Sequence, residues 1–126
     1  MCALPCQTIH EKRTVMKIGV AVHDLGASQL NYHLIRQANA LCTENPTVDV
    51  IAFYEHHVRS CLRPAFASML INELWGFSGP VIATSISTAQ KALASPGPHP
   101  VLFYQYDLDW LRLNVFSHRN LAAFYR

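Results

Sequence analysis

The chain has 126 residues, 51% of them hydrophobic, and a formal net charge of +2 from ten Lys/Arg against eight Asp/Glu. That length suits one domain, and the apolar content is enough to fill one core and too high for a disordered chain. The basic residues are scattered, the densest group being Lys12-Arg13 with Lys17, which argues against a nucleic-acid partner; no apolar stretch reaches the roughly 20 residues of a membrane span.

Residues 1–15 mix Pro, Gln, His and Glu without a helix or strand pattern, and they lack the basic-then-apolar order of a secretory signal. They are expected to form an extension dispensable for folding, with residues 16–126 as the single domain and the cytoplasm as its location. Cys2, Cys6, Cys42 and Cys61 are too few and too irregularly placed for a disulfide framework, so free thiols are expected. Cys2, Cys6 and His10 have metal-like spacing, and His56-His57 with Cys61 makes a second group. Structural zinc takes four ligands and each group supplies at most three, so no metal site is expected. His56 and His57 are instead expected at a strand's carboxyl end.

Met16-Lys17 leads into the apolar run Ile18–Val22, which predicts a first strand over 17–22. His23-Asp24-Leu25-Gly26-Ala27-Ser28 then reads as a turn, with Ser28 as the N-cap of a helix. Leu30, Leu34, Ile35, Ala38, Leu41 and Cys42 recur at helical spacing, and Asn45-Pro46 stops the helix because a residue before proline is pushed out of the α region. Val48–Tyr54 is β-branched and aromatic with little polar alternation, as in a strand covered on both faces.

Leu62, Phe66, Met69, Leu70 and Leu74 predict a second helix, opening at Ser60 or at Arg63-Pro64 and closing on Gly76 with a left-handed cap. Residues 80–84 predict a third strand, and Ser87 to Gln90 fits a capping box that opens a short helix to Ala94. The loop 95–100, rich in Pro and Gly, precedes a fourth strand over 101–106, and 120–125 has a helical pattern. Strands alternating with helices imply parallel pairing through right-handed crossovers. The expected fold is α/β: a Rossmann-like three-layer α/β/α domain with a mainly parallel sheet of about four strands.

The Gly-Lys-Ser/Thr end of a Walker loop, Gly-x-Gly-x-x-Gly and Gly-x-Ser-x-Gly are all missing. Dinucleotide and nucleoside-triphosphate loops and a nucleophile elbow are therefore disfavoured, and no cofactor is implied. The turn at Asp24, Gly26 and Ser28 lies where open α/β sheets bind ligands, and a glycine there allows backbone approach at a helix N-terminus. It also fits an ordinary strand-to-helix turn. Replacing Gly26 with Val is expected to block a ligand without unfolding the domain. Asp107 and Asp109, directly after the fourth strand, fit either a site that holds a divalent cation against a nucleotide diphosphate, or a cap on the turn at Trp110. Phe103, Tyr104, Tyr106 and Trp110 are expected mostly in the core, whereas Trp75 and Phe77 fit a pocket wall or simple packing.

The arrangement resembles the N-terminal domain of GT-B-fold glycosyltransferases. The similar features are the first strand with Asp24-Leu25-Gly26-Ala27-Ser28, then Thr84-Ser85-Ile86-Ser87-Thr88-Ala89, then the acidic-aromatic loop Tyr104–Trp110. The resemblance implies an acceptor-side half-domain that binds a sugar or nucleotide sugar through Asp24, Gly26, Ser28, Asp107 and Asp109. Such enzymes take most nucleotide-sugar contacts from a second domain. The chain therefore reads as a fragment, a truncated frame or half of an assembly, not catalytic alone, and a homo-oligomer is expected. The alternative is a non-catalytic Rossmann-like ligand-binding or oligomerisation module. A receiver-like domain fits less well, because Asp24 alone and Thr84-Ser85 do not supply its acidic pair and acceptor aspartate.

Overall fold

β1 (Met16–Val22) and β2 (Val48–Tyr54) form the centre of the sheet, joined by α1 (Gln29–Glu44). This computed structural model describes residues 14–96 and 100–106. The remaining elements are β3 (Ala67–Leu70), a 3-10 helix (Ile71–Gly76), β4 (Val81–Ala83), α2 (Ile86–Ala94) and β5 (Val101–Phe103). The five strands run in the order β3-β2-β1-β4-β5, and every pair is parallel. The protein has an α/β, Rossmann-like fold.

Side-chain alternation along the strands divides the core into two layers. Val20, Val22, Val50 and Ala52 face α1, where they pack with Ile35 and Ala38. Ala21, Phe53 and Val81 face the other way, against Ile71, Leu74, Phe77 and Ala92. The strands read as continuous apolar runs because both their faces are covered. The described helices are accordingly split, α1 on one face and the 3-10 helix with α2 on the other.

Ser28 caps α1, its side chain accepting from the Asn31 N–H at 3.0 Å, and Asn45 closes the helix. Both ends match the expectation from sequence. At α2 the cap is Ser85 and not Ser87: the Ser85 hydroxyl accepts from the Thr88 N–H, and the Thr88 hydroxyl accepts from the Ser85 N–H. Thr88 fills the third helical position with a hydroxyl in place of the usual Glu or Gln.

The helix expected between residue 60 and Gly76 is overturned up to Leu70, where the chain forms the edge strand β3, and only Ile71–Gly76 is helical, as a 3-10 helix. Its apolar residues do not share one face: Phe66 and Leu62 pack with the α1 layer, while Met69, Ile71 and Leu74 pack with the opposite layer. One helix would put them on one side, whereas this segment passes along the sheet edge, so that residues before β3 reach one layer while Met69 and the 3-10 helix reach the other. Asn39 of α1 fixes the approach, donating to the Arg63 carbonyl at 3.0 Å and accepting from the Ala65 N–H at 2.7 Å. The chain then pairs with β2 from Ile51↔Ala67 to Tyr54↔Leu70. Gly76 does not take the left-handed conformation expected of it.

The strands expected over 80–84 and 101–106 are the shorter Val81–Ala83 and Val101–Phe103. Tyr104 and Tyr106 lie beyond the end of β5 and are exposed, not core. Phe77 packs edge-on against Phe53, with ring centroids 5.2 Å apart, while Trp75 is exposed. Gly79 is required by close approach, since a Cβ there would overlap the Lys17 carbonyl oxygen. The described cysteines, Cys42 and Cys61, are free. Thr14 and Val15 are exposed, and the rest of the 1–15 extension lies outside the described residues, as does the expected helix at 120–125.

Candidate functional site

A sheet that winds left from β1 and right from β4 reverses its order between those two strands. The helices that follow them leave on opposite faces, so a crevice opens at the carboxyl ends of β1 and β4. Three segments border it: the β1–α1 turn, the end of β2, and the β4–α2 turn.

The β1–α1 turn is built by Asp24 and Asn31. The Asp24 carboxylate accepts from the Gly26 N–H at 2.8 Å and from the Asn31 side chain at 3.2 Å. The same Asn31 amide donates to the Gly26 carbonyl at 2.9 Å. Asn31 is buried, so these bonds satisfy an amide that would otherwise be costly to bury. Asp24, Gly26 and Ser28 thus lie together, as their sequence separation requires. Gly26 is buried beneath Val58: a Cβ there would meet Val58 Cγ1 at 3.0 Å and Asp24 Oδ1 at 3.1 Å. The glycine leaves room for this chain's own loop, so a Gly26→Val replacement presses on the fold as well as on any ligand. Asp107 and Asp109 lie outside the described residues.

Glu55, the first residue after β2, is the hub of the crevice. Its Oε2 lies 3.0 Å from His23 Nδ1, while Oε1 accepts from Ser87 Oγ at 2.9 Å and from Lys91 Nζ at 3.1 Å. These groups come from the residue after β1 and from the first and last turns of α2. The Glu55 side chain is only 6% exposed, whereas those of His23 and Lys91 are 62% and 52% exposed. Burial pushes the Glu55 carboxyl up, but hydrogen bonds from His23, Ser87 and Lys91, with the Lys91 charge, outweigh it and hold the pKa below the ordinary value. The carboxylate is therefore ionised near neutrality and accepts from His23 Nδ1–H.

The backbone locks this arrangement. The Glu55 N–H is shared between the carbonyls of Val22 and His23, and the His56 N–H donates to His23 at 2.9 Å. The His23 and His56 rings meet edge to face with centroids 4.8 Å apart. One donor atom from each of His23, Glu55 and His56 lies within 4.8 Å of the others. Of the group His56, His57 and Cys61 expected from spacing, only His56 belongs to this trio, and Cys61 packs with the α1 layer. Directly after β4, Thr84 is buried and donates to the Ala21 carbonyl of β1 at 3.0 Å.

His56 and His57 follow the carboxyl end of β2, as expected, and the His57 ring meets that of Tyr54 with centroids 5.7 Å apart. Glu55 and Lys91 carry no site signal in the sequence and Ser87 reads there only as a helix cap, because Glu55 stands 32 positions from Ser87 and 36 from Lys91 and meets them only through the sheet order. The available signal was positional: an acidic residue directly after an apolar strand. A separate apolar cavity of about 420 Å³ lies between α1 and the sheet, walled by Ile18, Leu34, Ala38, Leu41, Ile82 and Tyr104.

Comparison with protein-family models, with curated proteins and with solved structures produced no match for this chain. No helix among the described residues is long and apolar enough to cross a membrane.

Proposed function

We propose that this chain is a Rossmann-like ligand-binding domain that takes a sugar, free or as part of a nucleotide or nucleotide sugar, in the crevice at the ends of β1, β2 and β4. The observation that carries the reading is the ionised Glu55 at the carboxyl end of β2. An acidic residue at the end of the second strand is where doubly wound folds take ribose hydroxyls. A pair of sugar hydroxyls would compete with the exposed His23 for Oε2, while Lys91 and Ser87 keep Oε1 in place. Asp24, Gly26 and Ser28 would border the same ligand at the start of α1, beside N–H groups suited to an anion.

The narrower reading is the acceptor-side domain of a GT-B-like glycosyltransferase, not catalytic alone. It draws on the turn Asp24–Ser28 and on β4 leading through Thr84-Ser85 into α2. The acidic loop it also needs, with Asp107 and Asp109, lies outside the described residues.

The test is a titration with a nucleotide sugar, a nucleotide and simple sugars in separate arms, followed by amide chemical shifts and melting temperature. Binding should shift His23–Ser28, Glu55, His56 and Thr84–Ser87, and Glu55→Gln should weaken it by about tenfold or more. Binding that perturbs only remote residues, or no binding in any arm, would sink the reading. Nucleotide sugar or acceptor sugar bound in preference to the nucleotide favours the narrower form.

A further inference from the structure

We infer that His23, Glu55 and His56 form a binding site for a divalent transition-metal ion of the zinc type. Two imidazoles and one carboxylate suit such ions, and three protein ligands leave further positions for water or substrate. The inference uses the carboxylate of the proposed sugar site but does not rest on that reading.

Three observations carry it. First, the donor atoms already converge, lying within 4.8 Å of one another, and His23 Nδ1 to Glu55 Oε2 is 3.0 Å. Ligand atoms around a tetrahedral zinc stand roughly 3.3 Å apart for metal–ligand distances near 2.0 Å, so small side-chain adjustments admit the ion. Secondly, the two Glu55 oxygens have separate tasks. Oε1 is held by Ser87 and Lys91, and Oε2 faces His23. Hydrogen bonds of that kind orient a ligating carboxylate. The Lys91 charge opposes a second cation, but it sits on the far oxygen. Thirdly, the Glu55 and His56 N–H groups bond to the backbone at Val22 and His23, so the segments bearing all three ligands are tied before any ion arrives.

On binding, the proton on His23 Nδ1 moves to Nε2, and the freed Nδ1 lone pair takes the metal in place of the hydrogen bond to Glu55. His56 closes the trio from the solvent side, where its ring and that of His23 are exposed.

Zinc chloride titrated into the metal-stripped full chain, without sugar or nucleotide, tests this by calorimetry and by the imidazole shifts of His23 and His56. One saturable site is expected, with a rise in melting temperature. His56→Ala should weaken binding by about tenfold or more, and His23→Ala likewise. A triple variant, Cys2→Ser with Cys6→Ser and His10→Ala, should bind as the parent does. His56→Ala removes an exposed ring and keeps the backbone bond, so a thermal melt will find it folded even if His23→Ala is not. No saturable uptake, or uptake that survives His56→Ala and disappears in the triple variant, overturns the inference. Sugar binding without zinc binding would leave the proposed function standing and this inference rejected; the reverse result separates them equally well.

Discussion

Glu55 keeps its charge where burial alone would discourage it, and the sign of its effect on stability follows. Its pKa is depressed in the folded state below the ordinary value of 4.5. The stabilisation is therefore complete above that value and is lost as pH falls through the lower folded value. Denaturant unfolding across a pH series should show stability declining in this acidic window. Glu55→Gln should lose about 1–3 kcal/mol at neutral pH and remove that part of the decline. An unchanged pH slope in the variant would count against the network. Gly26 makes a second prediction at this scale. Gly26→Val should destabilise by about 1–3 kcal/mol through overpacking, and Val58→Ala should restore part of the loss. Val58 is 46% exposed and can yield, which is why the rescue is partial and the domain stays folded. Urea midpoints of the single and double variants decide it. The glycine was legible as a special position in the sequence, but its neighbour was not. Val58 lies 32 residues away on the loop that follows β2.

At the level of elements, α2 shows how a cap is chosen. Both Ser85 and Ser87 offer a hydroxyl near the start of the apolar run, and local sequence does not decide between them. Ser85 is taken because β4 ends at Ala83 and the Ser85 backbone is extended, while Ser87 already lies inside the helix and reaches Glu55. Ser85→Ala should therefore cost about 1 kcal/mol. A double-mutant cycle separates the roles: Ser87→Ala should couple to Glu55→Gln, and Ser85→Ala should add to it independently. Equal coupling of both serines would refute the assignment. The edge strand β3 makes the complementary point. Its residues carry helical spacing in the chain, yet the sheet edge beside β2 offers hydrogen bonds along four residue pairs. Tertiary pairing outweighs a weak local preference.

For the whole molecule, the described residues leave Trp75, Leu93, Leu102, Tyr104 and Tyr106 exposed. Leu102 sits on β5, a strand of three residues at the edge of the sheet. Exposed apolar side chains, one of them on an edge strand, favour association between copies. Light scattering over a concentration series should show the apparent mass rising above that of a monomer, and Leu102→Lys should suppress the rise. A constant monomer mass at every concentration would reject self-association.

The apolar runs at 17–22, 48–54, 80–84 and 101–106, separated by turn residues, already determine a parallel α/β sheet, although the last two strands prove shorter. Their lack of polar alternation is a local property, and it requires cover on both faces wherever they lie. The Ser28 cap and the Asn45 stop are local in the same sense, since each acts within one turn of its own helix. The strand order, the edge strand at Ala67–Leu70 and the Glu55 hub are not local. Each depends on which distant segments lie side by side once the chain has crossed over the sheet. His23, Glu55, Ser87 and Lys91 come from the ends of β1 and β2 and from α2, and nothing in their spacing encodes a meeting. Only the reversal of winding between β1 and β4 brings them to one crevice, because that is where the helices leave opposite faces and the strand ends stand open.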